Sequence, residues 1–246
     1  MIALSAASLP DARLSDFVKA ARDAGFSAVH LFRDSTESNL AHQDLSVRSI
    51  RETLTAADVA LTSCEIRALT GRKADSDEHN LAYNIRQLEW DIHLCRALGV
   101  QTLSLRSGAN TAQTRADLVE GVNQLTERIS DVVLAVGPLS GSCLSTAADF
   151  ETLTPSLAAS AGLVLDTGAL LAAGLDPVAF AQTWSAHLRL VYVRDVHEGA
   201  SVTPGDGDLH LDALAKALQQ IEFTGPVVVE TPADSLDTAR QRLRGW

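Results

Sequence analysis

Short apolar runs rich in β-branched residues recur along the chain. Between them lie longer stretches in which apolar residues return every three or four positions. Four of the runs follow a glycine: Gly25-Phe26-Ser27-Ala28-Val29, Gly99-Val100-Gln101-Thr102-Leu103, Gly162-Leu163-Val164-Leu165 and Gly225-Pro226-Val227-Val228-Val229. Glycine closing a helical stretch reads as a left-handed helix stop ahead of a buried strand. Gly99, Gly162 and Gly225 stand 63 residues apart, which matches two strand-plus-helix units of about 30 residues each. Weaker strands at Ile2–Ser5, Ala60–Ile66, Val132–Val136 and Leu190–Arg194 bring the count to eight.

The intervening stretches predict helices. Leu81, Ile85, Leu88, Ile92 and Cys95 share one helical face, as do Leu118, Val122, Leu125 and Ile129. Asp176 caps and Pro177 opens a helix through Phe180 and Trp184, and another spans Leu209–Ile221. Eight alternating units with no Pro, Gly or Ser-rich linker predict a single domain over residues 1–246, a (β/α)8 TIM barrel, with an open doubly wound sheet as the alternative. In a barrel the chemistry sits at the C-terminal strand ends. The residues that close the predicted runs are His30, Glu65 with Arg67, Arg106, Gly137, Asp166, Arg194 with Asp195, and Glu230.

Composition narrows the partners. The 246 residues are 46% hydrophobic and carry a formal net charge of -11, so neither a nucleic-acid groove nor an anionic membrane surface is the expected partner. All but three of the 20 basic residues are Arg, which supplies fixed planar cations wherever a positive group is needed. Cys64, Cys95 and Cys143 show no CxxC spacing, which argues against a disulfide framework or a structural zinc site and for a reducing cytoplasm. No basic leader precedes an apolar stretch and no run is long enough to span a bilayer, so a cytoplasmic protein is expected. Self-association into a homo-oligomer stays open.

The order and spacing of several short segments resemble the xylose isomerase-like TIM barrels, the sugar phosphate isomerase/epimerase superfamily that also holds endonuclease IV-type enzymes. They are Ala24-Gly25-Phe26-Ser27-Ala28-Val29-His30-Leu31, Ala97-Leu98-Gly99-Val100, Leu163-Val164-Leu165-Asp166-Thr167-Gly168, Val193-Arg194-Asp195, Gly205-Asp206-Gly207-Asp208 and Gly225-Pro226-Val227-Val228-Val229-Glu230. The resemblance implies a divalent metal at the barrel mouth, held by a Glu ending strand five, an Asp ending strand six, a His in strand seven and a Glu ending strand eight. Only Asp166 and Glu230 match; the strand-five Glu falls on Gly137 and the strand-seven His on Tyr192. Ala169 stands where a His is usual, and His30 where a strand-two Glu is frequent. The remaining carboxylate pair would bind Mn2+, Mg2+ or Zn2+ weakly and at low occupancy, with His197, two residues beyond Asp195 on a loop that can fold back over the mouth, the substitute imidazole to join Asp166 and Glu230. The strand-five and strand-eight carboxylates that pair as acid and base in related epimerases cannot be built from Gly137 and Glu230.

Each candidate has a plainer alternative. Asp166 either caps the next short helix or serves the mouth. Glu230 closes a fully apolar strand, which calls for a partner or a chemical role. Arg67, Arg106 and Arg194 either converge as an anion site or pair singly with nearby carboxylates. If the face carrying Tyr192 and Arg194 is the lumen, Arg194 neutralises Asp166 and Glu230 where a metal would otherwise sit. His197 and His210 read most simply as surface residues, Cys64 as a buried apolar one, and Gly205-Asp206-Gly207-Asp208 as the turn before the last helix.

The expected function is therefore isomerase-type proton transfer next to a carbonyl of a small carbohydrate-like substrate, anionic if the arginines converge. Glu230 would be the base, and Arg67, Arg106, Asp166 and Arg194 would bind substrate and stabilise enediolate charge. One alternative is a barrel that retains only ligand binding or an assembly role. Another, a metal-dependent endonuclease, lacks both a rich metal site and a basic face.

Overall fold

In the computed structural model, which describes residues 1–69, 81–139 and 141–246, eight parallel strands close into a barrel. Its strands are β1 (Ile2–Ser5), β2 (Ala28–Phe32), β3 (Ala60–Glu65), β4 (Thr102–Arg106), β5 (Val133–Gly137), β6 (Ala161–Asp166) and β7 (Leu188–Val193). An antiparallel hairpin follows, β8 (Asp195–His197) with β9 (Ala200–Val202), and the last barrel strand is β10 (Val227–Val229). Closure is made by β1 against β10, with Ile2 beside Val227 and Leu4 beside Val229. The barrel thus replaces the open-sheet alternative. Among the described residues no helix is long and apolar enough to cross a membrane.

The helices are α1 (Leu14–Asp23), α2 (Val47–Ala57), α3 (Leu81–Ala97), α4 (Ala112–Arg128), α5 (Ala147–Leu153), α6 (Thr167–Ala172), α7 (Pro177–Thr183), α8 (Leu211–Gln220) and α9 (Leu236–Arg242). The stripe Leu81, Ile85, Leu88, Ile92 and Cys95 is buried against the barrel, as is that of Leu118, Val122 and Leu125. Asp176 Oδ1 accepts the Val178 N–H at 2.9 Å and so starts α7 at Pro177.

The four glycines divide by physical role. Gly25 and Gly99 have φ of 82° and 85°, the left-handed stop predicted from sequence. Gly162 and Gly225 do not; each lies where a Cβ would collide with backbone of the β7 region, the carbonyls of His187 and Arg189 respectively. Close approach of chains, not a helix stop, requires glycine there. Strand two also runs further than its sequence suggests: His30 sits in its middle, fully buried, and does not close it.

Along every barrel strand alternate side chains enter the lumen. Ala3, Ala28, Ala135, Val164, Leu190 and Val228 pack there in a cluster with Tyr192, separate from the core under the helices. Such small neighbours leave room for Tyr192 to cross from β7. Its Oη lies 2.8 Å from His30 Nε2 on β2 and 3.0 Å from Ser104 Oγ on β4. His30 Nδ1 is in turn 2.8 Å from Ser63 Oγ on β3. Burial, with a smaller push from Arg106, lowers the His30 pKa to about 3, and burial raises that of Tyr192. The ring is neutral, donating from one nitrogen and accepting at the other.

This network gives a pH-dependent stability with a defined sign. Unfolded His30 protonates near the ordinary histidine value of 6.5 and folded His30 only at about 3. Between those limits the unfolded state binds the extra proton, so stability is lost as pH falls through that window. Acidification from pH 7 to pH 5 is expected to cost the parent about 2 kcal/mol more than a His30→Gln variant. Denaturant midpoints of both proteins at the two pH values measure it, and equal acid losses would contradict a neutral buried ring.

Candidate active site

On β3, β4, β6, β7 and β10 the residue two positions beyond a lumen-facing side chain reaches the C-terminal rim. Ser63 is followed in this way by Glu65, Ser104 by Arg106, Val164 by Asp166, Tyr192 by Arg194 and Val228 by Glu230. Arg194 dominates the charges. Its Nε and Nη2 donate to Asp166 Oδ1 and Oδ2 at 2.9 and 2.6 Å, and its Nη1 lies 3.5 Å from Glu230 Oε1. Burial opposes a charge on this guanidinium, but Asp166 and Glu230 together raise its pKa above the ordinary Arg value. Asp166 Oδ1 also accepts the Ala169 N–H at 3.1 Å, so the one carboxylate both caps α6 and holds Arg194.

A second pair lies on the opposite side of the mouth. Arg106 Nε donates to Glu65 Oε1 at 2.9 Å. Burial raises the Glu65 pKa, Arg106 partly offsets this, and the charges of Asp166 and Glu230 add to the rise. Arg67 Nε and Nη2 donate to both oxygens of Asp91 on α3, at 2.8 and 2.9 Å, and Arg33 Nε shares the same carboxylate at 2.7 Å. Asp91 is 1% exposed, so two guanidiniums stabilise one buried anion.

A cavity of about 430 Å3 opens between these groups, lined by Arg33, Asp34, Glu65, Arg67, Arg106, Arg194 and Glu230 together with Ala7, Phe32, Ser35, Ile66 and Ala68. It occupies the half of the mouth formed by β1 to β4, with Arg194 and Glu230 at its far edge. Asp166 does not line it. The other half, over β5 to β7, holds the Arg194–Asp166 pair.

Arg67, Arg106, Arg194 and Glu230 therefore meet at one cavity, with Asp166 behind Arg194. Of the two alternatives for the arginines the ion pairs are formed: each of Arg67, Arg106 and Arg194 faces a carboxylate. His197 does not reach the mouth: it is exposed on the β8–β9 hairpin, 3.2 Å from Asp208. Asp195, on the opposite face of the chain from Arg194, is wholly buried. It accepts the N–H groups of Gly205, Gly207 and Leu209 at 2.8, 2.9 and 2.9 Å, clamping the turn before α8. His210 is exposed at the start of α8, and Cys64, Cys95 and Cys143 are buried and unbridged. Two charged residues of the cavity, Arg33 and Asp34, escape the sequence reading. Both are hidden because strand two appears in sequence to stop at His30, while Glu65 is legible only as a strand end.

The donor set does not fit a divalent metal. Between Asp166 and Glu230 stands a cation that belongs to the chain; Gly137 offers no ligand, and the Tyr192 hydroxyl is engaged with His30 and Ser104. Among the described residues no three His, Cys, Asp or Glu side chains are grouped to hold an ion.

A closed parallel barrel with its polar groups gathered at the C-terminal rim is the architecture of (β/α)8 enzymes. The chain belongs to the xylose isomerase-like TIM barrel family, whose model matches residues 18–246. No curated protein is significantly similar to it in sequence. Among solved structures, a xylose isomerase-like TIM barrel/4-hydroxyphenylpyruvate dioxygenase fusion protein aligns over 98% of this chain with a TM-score of 0.81 and 18% identity. The chain spans 42% of that fusion protein's length. The IolI protein with a binding zinc atom aligns with TM-score 0.77 and 19% identity, over 98% of this chain and 95% of its own. L-ribulose 3-epimerase gives 0.78 and 16%, over 98% and 85%. At these identities the likeness is one of fold.

If Arg194 holds the cation position, rebuilding ligands beneath it has little effect. Gly137 has no left-handed φ, and a Cβ there would lie 3.6 Å from its nearest neighbour, so a side chain is sterically allowed. Gly137→Glu with Tyr192→His is expected to leave Mn2+ affinity weak, while adding Arg194→Met raises it tenfold or more. Calorimetric titration of variants first shown to fold like the parent checks this. A large gain with Arg194 still present would refute the assignment.

Proposed function

We propose that the protein catalyses proton transfer at a carbon next to the carbonyl of a small, neutral polyhydroxy compound, with Glu230 as the base. The observation that carries this reading is Glu230 at the wall of the 430 Å3 cavity, facing space that Arg106 also lines. Arg106 spends only its Nε on Glu65, and its terminal nitrogens have no hydrogen-bond partner among the described residues. They are donors for an oxygen on which enediolate charge develops. Arg33, Arg67, Arg106 and Arg194 are all matched by carboxylates, which favours a ligand of hydroxyl groups over an anion. Arg194 holds Glu230 and Asp166 in place, and no step is assigned to a metal. Membership of the family and the fold shared with L-ribulose 3-epimerase support a sugar as the ligand.

The Arg194–Glu230 contact favours a second reading, in which the carboxylate stays engaged and the barrel binds the same class of ligand without turning it over. One experiment separates the two. L-ribulose and D-fructose are incubated with the protein in D2O, with and without Mn2+ or Mg2+, and the proton beside the carbonyl is followed by NMR. Deuterium uptake independent of metal is expected. Glu230→Gln should lower it about 100-fold or more and Arg106→Gln about tenfold or more. Undiminished uptake in Glu230→Gln would remove Glu230 from the mechanism, and a ligand-induced rise in melting temperature without uptake would select the binding role.

A further inference from the structure

The cavity beside Glu230 is larger than proton transfer on a single ketose needs. Its volume of about 430 Å3 falls in the range of roughly 300–1,000 Å3 that encloses drug-sized ligands, and one ketose would fill only part of it. Its lining stands at two levels. Glu65 and Arg106 close β3 and β4, and Arg194 and Glu230 follow β7 and β10 directly, so these four charges form an inner level at the strand ends. Arg33, Asp34 and Ser35 after β2, with Ile66, Arg67 and Ala68 after β3, carry the lining beyond the strand ends. Asp34, Ser35 and Ala68 are exposed, so this outer level opens to solvent. It is also held from behind. Asp91 on α3 accepts Arg33 Nε at 2.7 Å and Arg67 Nε and Nη2 at 2.8 and 2.9 Å, which ties both segments to one helix. Arg33 Nη1 donates to Asp34 Oδ1 at 2.7 Å and Arg67 Nη1 to Gln87 Oε1 at 2.9 Å. Two guanidiniums thus balance two carboxylates, and the outer level draws no net ion. Asp34 Oδ2 and Ser35 Oγ have no hydrogen-bond partner among the described residues. A carboxylate oxygen that accepts and a hydroxyl that both donates and accepts match the hydroxyl groups of a sugar. Ile66 and Ala68 add apolar surface for its C–H groups.

We propose that this outer level is a second subsite and that the ligand is a glycosylated ketose, a ketose joined to one further neutral sugar unit. The ketose carbonyl lies at the inner level beside Glu230 and Arg106, and the added unit lies against Asp34, Ser35 and the two arginines held by Asp91. The inference rests on the sugar site and the proton transfer read above, and adds to them the size of the substrate. A phosphate or carboxylate is not the added group, since Arg33 and Arg67 both already face a carboxylate. Asp91 fixes the two segments before the ligand arrives, so little ordering remains to oppose binding. Contacts to the added unit then help to hold the reacting carbon against Glu230.

The test compares D-fructose with two of its glycosides, isomaltulose, which carries glucose on the terminal hydroxyl, and lactulose, which carries galactose nearer the carbonyl. Calorimetric titration reads affinity, and NMR in D2O reads exchange of the proton beside the carbonyl. At least one disaccharide is expected to bind about tenfold or more tightly than D-fructose and to exchange that proton. Asp34→Ala together with Ser35→Ala, both at exposed positions, should cut the preference to about threefold or less. Ala68→Trp, which fills the outer level from the other segment, should cut it likewise in a variant that melts with the parent. D-fructose binding as tightly as both disaccharides overturns the subsite, and its proton exchange then leaves the role of Glu230 standing. A preference that survives both sets of substitutions also overturns the subsite. A preference that the substitutions remove, without proton exchange in the parent, supports the subsite and overturns the reaction. Binding of none of the three sugars overturns both readings.

Discussion

Asp166 and Glu230 face a half-enclosed barrel mouth, and an uncompensated carboxylate pair there would be costly to keep charged. Arg194 removes that cost. Its fork meets Asp166 with two hydrogen bonds and its third nitrogen approaches Glu230, so one residue of the chain supplies the positive charge the mouth requires. The consequences reach beyond the pair. Asp166 is held while capping α6, and the ion pair sits over β6 and β7.

The layer beneath is built to the same end by other means. Ala3, Ala28, Ala135 and Ser104 keep the lumen narrow in side-chain volume, and Tyr192 fills the space they leave. Its hydroxyl must find partners once buried, and it finds them in His30 and Ser104. A buried neutral imidazole then closes the network on Ser63. These polar groups satisfy one another and present a rigid floor on which Glu65, Arg106 and Arg194 stand.

The barrel was legible in the sequence because its signals are local: apolar runs, helical stripes, and the left-handed stops at Gly25 and Gly99 each depend on a few neighbouring residues. Gly162 and Gly225 gave the same pattern for a different reason, since close approach to the β7 backbone is a contact between distant segments. The rim residues were legible as strand ends, but their pairing was not. Nothing adjacent to Arg67 in sequence reveals Asp91 on α3, so three strand-end arginines read equally as an anion site or as separate ion pairs. The His30 error came from strand length: Val29-His30-Leu31-Phe32 remains buried past the apparent end, which moved Arg33 out of the predicted rim.

A guanidinium is a different kind of cation from a metal ion. It has no vacant site for a substrate oxygen and cannot be exchanged, and it acts through hydrogen bonds donated in a fixed plane. With its nitrogens directed at Asp166 and Glu230, Arg194 has little left to offer a ligand. Among the described residues the terminal nitrogens of Arg106, on the other side of the cavity, have no hydrogen-bond partner, and in the proposed reaction they would receive the developing oxyanion. The segments that follow β2 and β3, anchored through Arg33 and Arg67 on Asp91, form one wall of that cavity. Under the proposed function, the position of the built-in cation places substrate recognition on the β1–β4 side, where the cavity opens.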